Sequence, residues 1–426
     1  MNTTTTSPLD AIRQRIAIAL FASQSLFSAA VIVAFTLTSI IAVDLSGLES
    51  RAGWPSTISL IGRALLAYPL GWLMDRVGRR LGISLGFIVG VISVLISAYS
   101  IIIGSFFWFM FGALMLGGSR AVLEQGRYVA AEVFPLSRQA KIIGTIVFAG
   151  TIGAVGGPLL VDPSSSFSEN IFGMAADTGP FLAAAVLLLL GGIIIFVFLR
   201  PDPLTISRQM AADQRQVDAA AGKQAVAARP LSEIFSRGTV LLAVAAMMIG
   251  QLVMTLLMVI TPLHMSHYDH STRAISWVIM AHTLGMFGLS GVTGWLIDRF
   301  GRIPMIIAGT MVLVAACLIA PVSTEVPLLA LSLFLLGLGW NFCFVAGSSL
   351  LSAELTADER GRAQGFSEVA VALGAGVGSL GTGYIFDQGE MLAVALVGLV
   401  ITLILFGLAL VSLIPRPTPE KVGVGD

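Results

Sequence analysis

Apolar residues run in long blocks along most of this chain, separated by short turns carrying Gly, Pro and charge. About 20 apolar residues carry a helix across the hydrocarbon core of a bilayer. The blocks therefore predict membrane helices rather than the striped helices of a water-soluble fold. The turn signals divide them into twelve. Six are expected near 16–43, 54–74, 81–103, 106–133, 142–161 and 179–199, and six near 240–262, 272–296, 303–321, 327–353, 363–386 and 391–414. Between the sets lies a polar stretch, Arg200 to Arg237, rich in Ala, Gln, Asp and Arg, with Pro201, Pro203 and Pro230. It reads as a cytoplasmic linker, 200–237, with one surface helix, joining an N-terminal half, 1–199, to a C-terminal half, 238–426. The expected fold is an all-α membrane protein of twelve transmembrane helices in two pseudo-symmetric six-helix halves.

Composition agrees. Of 426 residues, 56% are hydrophobic and only 11% charged, against about 25% charged in a soluble protein. Mean hydropathy is +0.92. The first run, from Ile16 past Ile40, is too long for a signal-peptide core and has no small-residue cleavage site after it, so it reads as a retained helix. Cys317 and Cys343 lie inside apolar runs without paired spacing and read as packing residues. No Gly-x-x-x-x-Gly-Lys loop is present, which argues against direct ATP drive. The expectation is a carrier rather than an enzyme, without cofactor and without nucleic acid, working as a monomer on a small solute or metal ion in the lipid bilayer.

Charge placement predicts orientation. With the amino terminus inside, 19 of the 24 basic residues fall in cytoplasmic segments and only Arg51 and Arg273 in outer loops. The positive-inside rule then puts both termini in the cytoplasm of a bacterial-type inner membrane. Arg63, Arg120 and Arg127 lie within helices.

The halves repeat one another. Gly71-Trp-Leu-Met-Asp-Arg-Val-Gly-Arg-Arg80 recurs as Gly294-Trp-Leu-Ile-Asp-Arg-Phe-Gly-Arg-Ile303, an offset of 223. Ala131-Glu132 with Arg138 recurs as Ala353-Glu354 with Arg360, an offset of 222. Duplicated halves imply a substrate site near the membrane midplane and alternating access by rocking of one half on the other.

These residues resemble the signature of the major facilitator superfamily, Gly-x-Leu-x-Asp-Arg-x-Gly-Arg-Arg/Lys in the loop after the second helix. Gly71, Leu73, Asp75, Arg76, Gly78, Arg79 and Arg80 match throughout, and Asp298, Arg299 and Arg302 belong to the second copy. The resemblance implies that this loop latches the cytoplasmic side. Asp75 is expected to cap a neighbouring helix start, with the arginines at the anionic membrane face. Gly150, Gly153, Gly156, Gly157 and Pro158 resemble a motif of exporting members, though close packing between the halves explains them as well.

All four histidines and seven of sixteen methionines fall between Met247 and Met286. Met254 and Met258 share one helical face, as do His282 and Met286. The next stretch is expected to be an outer loop offering His264, Met265, His267 and His270 for metal capture. Rise per residue puts Met254 roughly 12 Å and His282 roughly 15 Å below the outer ends of two adjacent helices. Thioethers and imidazoles favour cuprous copper. The spacing resembles the CcoA-like branch of copper importers, which also contains riboflavin importers. The resemblance makes Met254, Met258, His282 and Met286 copper ligands, copper being cargo. A heterocycle would instead use Gln251, Trp340, Asn341 and Phe342, with the methionines as apolar wall. Efflux of drugs or amphiphiles is a further alternative. Arg120, Glu124 and Arg127 share a face of helix 4, and Glu368 lies on helix 11. Arg127 and Glu368 are expected to meet when the cytoplasmic side closes, or Glu124 or Glu368 to carry a coupling proton.

Overall fold

The computed structural model describes residues 8–220, 229–355 and 357–413, with the side chains of Asp75 and Arg127 outside the described set. α1 (Pro8–Thr36) and α2 (Thr38–Ser46) form the first pass, and a 3-10 turn (Glu49–Arg51) leads into α3 (Trp54–Val77). α4 (Arg79–Ile102), α5 (Phe106–Leu123) and the short α6 (Gly126–Glu132) follow. α7 (Leu136–Gly156) runs through a 3-10 turn into α8 (Val161–Phe172), and α9 (Gly179–Phe198) completes the first half. The linker holds α10 (Pro203–Ala220) and α11 (Leu231–Ile234). The second half contains α12 (Gly238–His267), α13 (Thr272–Phe287), α14 (Ser290–Phe300), α15 (Arg302–Ile319), α16 (Val326–Ala353) and α17 (Ala357–Val411). α17 is two passes joined at Gly389 and Glu390, whose backbone angles are not helical. Among the described residues nine spans are long and apolar enough to cross a bilayer. Counting the break in α17, and adding α3 and α7, the twelve expected passes are all present as helix.

Lipid provides no hydrophobic drive for helix association, so close approach through small residues does that work. Gly117 faces the Ser59 carbonyl and Gly62 the Leu114 carbonyl, which clasps α5 to α3. Gly285 and Gly337 face each other's helices in the same way and join α13 to α16. Gly153 and Gly157 sit on Ser25 and Ala29 of α1, so this glycine run packs mainly within its own half rather than between halves. The repeat is visible in the backbone. Gly78 (φ 98°, ψ 160°) and Gly301 (φ 91°, ψ 166°) turn the chain identically before α4 and α15. These are left-handed angles that only glycine adopts without strain.

The buried apolar residues form two clusters. One is drawn from Ile16 to Ile206, the other from Ile234 to Ala409 together with Ala52. The substantial contacts between the halves gather at one end, around the Glu49–Arg51 turn and the start of α13. There Ser379 Oγ donates to the Gly53 carbonyl (2.7 Å), Arg273 pairs with Asp162 (2.9 Å) and His267 Nε2 lies 3.5 Å from Glu49.

Candidate substrate site

α12 is the central wall of the second half, and its contacts assign its faces. Met247 and Gly250 face Gly347 and Cys343 of α16, while Val253 and Leu257 face Gly398 of α17. Met248 and Leu252 face Gly374 and Gly378, on the earlier pass of α17. The Leu256 carbonyl accepts from Thr382 Oγ1 (2.6 Å). With successive residues turned by about 100°, Gln251, Thr255 and Met258 fall in the sector between the α16 face and the earlier pass of α17, while Met254, seven residues after Met247, falls on the α16 face. α12 also meets α2 of the first half, so part of its surface adjoins the contact between the halves.

Gln251 organises its sector. Its Oε1 accepts the indole N–H of Trp340 (2.9 Å), and its Nε2 donates to Thr255 Oγ1 (3.2 Å). The Trp340 ring stacks on Phe344 at 4.9 Å and 19°, and Phe287 meets it edge-on at 6.0 Å. Three aromatic rings and an amide are thus fixed around one point. Met254 and Met258, on the same helix as Gln251, are buried, each 7% exposed.

The neighbouring residues do other work. Asn341 is buried, its Nδ2 donating to the Met286 carbonyl (2.7 Å) and Ser290 Oγ (3.0 Å). Its Oδ1 accepts from Thr293 Oγ1 (2.5 Å). It bridges the break between α13 and α14. Phe342 packs toward Gly309 of α15. Consecutive helical residues point about 100° apart, so Trp340, Asn341 and Phe342 do not share one face. Phe344, one turn from Trp340, and Phe287 are the members that the sequence reading missed.

The expected metal set is arranged differently from the expectation. α12 and α13 barely touch; α13 packs on α16 and α7. His282 is fully buried against α16, where Nδ1 is hydrogen-bonded to the Leu333 carbonyl (2.9 Å) and Nε2 has no partner. Met286 is only partly buried. The outer-loop expectation is corrected. α12 continues past Pro262 to His267, leaving His264 and Met265 buried at 5% and 0% exposure. The His264 ring packs edge-on to Tyr268 and Phe386, His267 faces Glu49, and His270 Nε2 is bonded to the Thr324 carbonyl (2.7 Å). His264 and His267 share the Phe386 ring, whereas His270 is turned to Thr324. Among the described residues no group of three or more His, Cys, Asp or Glu could hold a metal. Both cysteines are buried and free.

The first half contributes charge. Glu124 accepts from two arginines, Arg63 Nη2 at 2.7 Å and Arg120 Nη2 at 3.3 Å. Helix 4 is not continuous: α5 ends at Leu123 and α6 begins at Gly126, so Arg127 follows a break. Its side chain lies outside the described residues, and so does its expected pairing with Glu368. Glu368 is exposed.

At the signature loop the helix start of α4 is capped from an unforeseen direction. Asp202, just after α9, accepts the backbone N–H groups of Arg79 and Arg80 (both 3.1 Å). Asp75, the expected cap, has its side chain outside the described residues. Arg79 forks onto both oxygens of Glu132 (3.1 and 3.0 Å), Arg80 donates to the Phe196 carbonyl, and Arg76 lies 3.8 Å over Trp72. The second copy is wired otherwise. Arg302 donates to Ser349 Oγ, Arg299 lies over Trp295, Asp298 is exposed, and Glu354 pairs with Arg237. The linker's far end is fastened by Arg229, which bonds both oxygens of the buried Glu359 (2.6 and 2.7 Å). That carboxylate pushes the Arg229 pKa up from its ordinary value, so the pair stays ionised.

Residues 17–271 and 244–426 match the family model described as Major Facilitator Superfamily. YdeG of Bacillus subtilis (strain 168), an MFS-type transporter, is 34% identical over 90% of this chain and 88% of its own length. The riboflavin transporter RfnT of Brucella anthropi is 28% identical over 81% of this chain and 82% of its own. Among solved structures, a bacterial homologue of the human lysosomal transporter Spinster superposes with a TM-score of 0.73 at 14% identity, covering 94% of this chain and 96% of that one. The D-xylose-proton symporter gives 0.70 at 15% identity, over 92% and 97%. Two glycine-turned repeats, two six-helix halves and a family model matched along nearly the whole chain lead to one assignment: the protein is a membrane transporter of the Major Facilitator Superfamily.

Proposed function

We propose that this transporter carries a small, flat, polar heterocycle of the flavin class across the cytoplasmic membrane by alternating access. The observation that carries the reading is the Trp340–Phe344 stack with the Trp340 N–H held by Gln251. A locked aromatic platform beside an amide and a hydroxyl suits an aromatic ring system with polar edges, as ligand sites combine apolar walls with a few placed polar groups. The soft thioethers of Met254 and Met258 complete the apolar wall. The riboflavin transporter among the relatives supports the same class.

Cuprous ion import is the second reading. It is favoured by the buried, partnerless Nε2 of His282, a neutral donor of the type that binds soft cations. It requires the α12 thioethers and the α13 imidazole to come together in another state of the transport cycle, because α12 and α13 barely meet in this one.

Uptake of labelled riboflavin and of radioactive copper by the same proteoliposomes separates the two. The flavin reading expects riboflavin uptake that falls at least about tenfold in Trp340→Ala, the loss of roughly 1.4 kcal/mol of stacking, and that survives His282→Ala. Copper uptake abolished by Met254→Ala and by His282→Ala, without flavin uptake, would replace it.

A further inference from the structure

The cleft between the halves has two unlike walls. The second half offers aromatic rings, thioethers and an amide. The opposite wall carries Arg63, Arg120 and Glu124, and their orientation follows from the helices that hold them. On α5, Gly117 and Gly118 face α3, Gly112 and Ser119 face α4, and Phe107, Trp108 and Phe111 are exposed on the lipid side. At about 100° per residue, Arg120 and Glu124 point away from that lipid side. On α3, Ser59, Gly62 and Leu66 face α5, Gly53 and Thr57 face α17, and Ile61 and Leu65 are exposed. Arg63 falls between the α5 side and the α17 side. All three side chains therefore look into the cleft, and none is sealed: they are 37%, 33% and 23% exposed.

Among the described residues one carboxylate, Glu124, is bonded to two arginines, so one negative charge faces two positive ones. An uncompensated arginine inside a membrane span is costly unless it faces water or a partner, and it marks a functional position. The guanidinium-bearing side chains of Arg63 and Arg120 are partly exposed, at 37% and 33%. Guanidinium forks match carboxylate and phosphate oxygens. Resting on the flavin-class reading, we propose that the cargo is anionic: its ring stacks on Trp340 while a phosphate or carboxylate arm reaches across the cleft to Arg63 and Arg120. Recognition is then divided between the halves, so the bound molecule couples them.

The test is binding of three flavins with one ring system to the full-length protein in nanodiscs: riboflavin (neutral), flavin mononucleotide (phosphate) and 10-carboxymethylflavin (carboxylate). At least one anionic flavin is expected to bind about tenfold tighter than riboflavin. The ratio should collapse toward one in Arg63→Gln and in Arg120→Gln, remain partly in Arg63→Lys, and shrink as salt rises. A thermal melt of each variant shows that it is folded. Riboflavin binding at least as tight as both anionic flavins overturns the anion site and leaves the flavin-class reading standing. No binding of any of the three overturns both. A preference for anionic flavin that persists in both glutamine variants overturns the assignment to these arginines.

Discussion

Trp340 and Asn341 are sequence neighbours with separate duties. Trp340 presents its ring toward the interior with its N–H tied to Gln251; Asn341 points the other way and holds α13, α14 and α16 together through three hydrogen bonds. Asn341→Ala is expected to cost about 1–2 kcal/mol of stability, the scale of a polar contact between membrane helices. A lowered melting temperature with ligand affinity retained checks it; an affinity loss without destabilisation would move Asn341 into the site. The candidate site was half legible at this scale. Gln251, Trp340, Met254 and Met258, the residues of the proposed site, were singled out from residue type and helical spacing. Asn341 and Phe342 were drawn in because they adjoin Trp340, although helical geometry turns them away. Phe344, at i+4, was the signal that spacing offered and adjacency hid. Arg63 stood out as a charge within a helix, but its bond to Glu124 joins residues 61 positions apart and has no local signature.

At the scale of elements, the apolar blocks located the helices well and their ends less well. Pro262 and the following histidines suggested a helix stop and a polar loop. The structure carries α12 five residues further, because Leu263 and Met265 are buried at 2% and 0% exposure and reward continuation. Proline removes only one N–H from the ladder. The outer-loop placement of His264, Met265 and His267 was corrected for that reason, and His270 follows the helix end. Helix adjacency was the other failure: α12 and α13 follow one another in sequence, yet α16 receives both. The glycines that cement α13 to α16 yield a further prediction. A side chain at Gly337 would strike the His282 carbonyl and the Met286 backbone N. Gly337→Val should therefore cost about 1–3 kcal/mol by overpacking, read as a fall in melting temperature in detergent. Wild-type stability in that variant would show that the interface is looser than described.

Across the whole molecule, the duplication visible in the sequence is realised as two halves with identical glycine turns and unequal chemistry. The first half fastens its signature loop with Glu132 and Asp202; in the second, Arg302 bonds Ser349, while Glu354 pairs with Arg237 and the Arg229–Glu359 clamp fastens the linker. The halves meet at the end of the Glu49–Arg51 turn. The orientation expected from the basic loops would make this the outer end. The proposed interior has the arginines bonded to Glu124 on one side and the Trp340 platform on the other. The most direct test of that interior is flavin fluorescence titrated with purified protein, because an isoalloxazine stacked on indole loses its emission. Saturable quenching by the wild type, abolished in Trp340→Ala and weakened in Gln251→Ala, is the predicted result. Equal quenching by wild type and Trp340→Ala, in folded protein, would contradict the account.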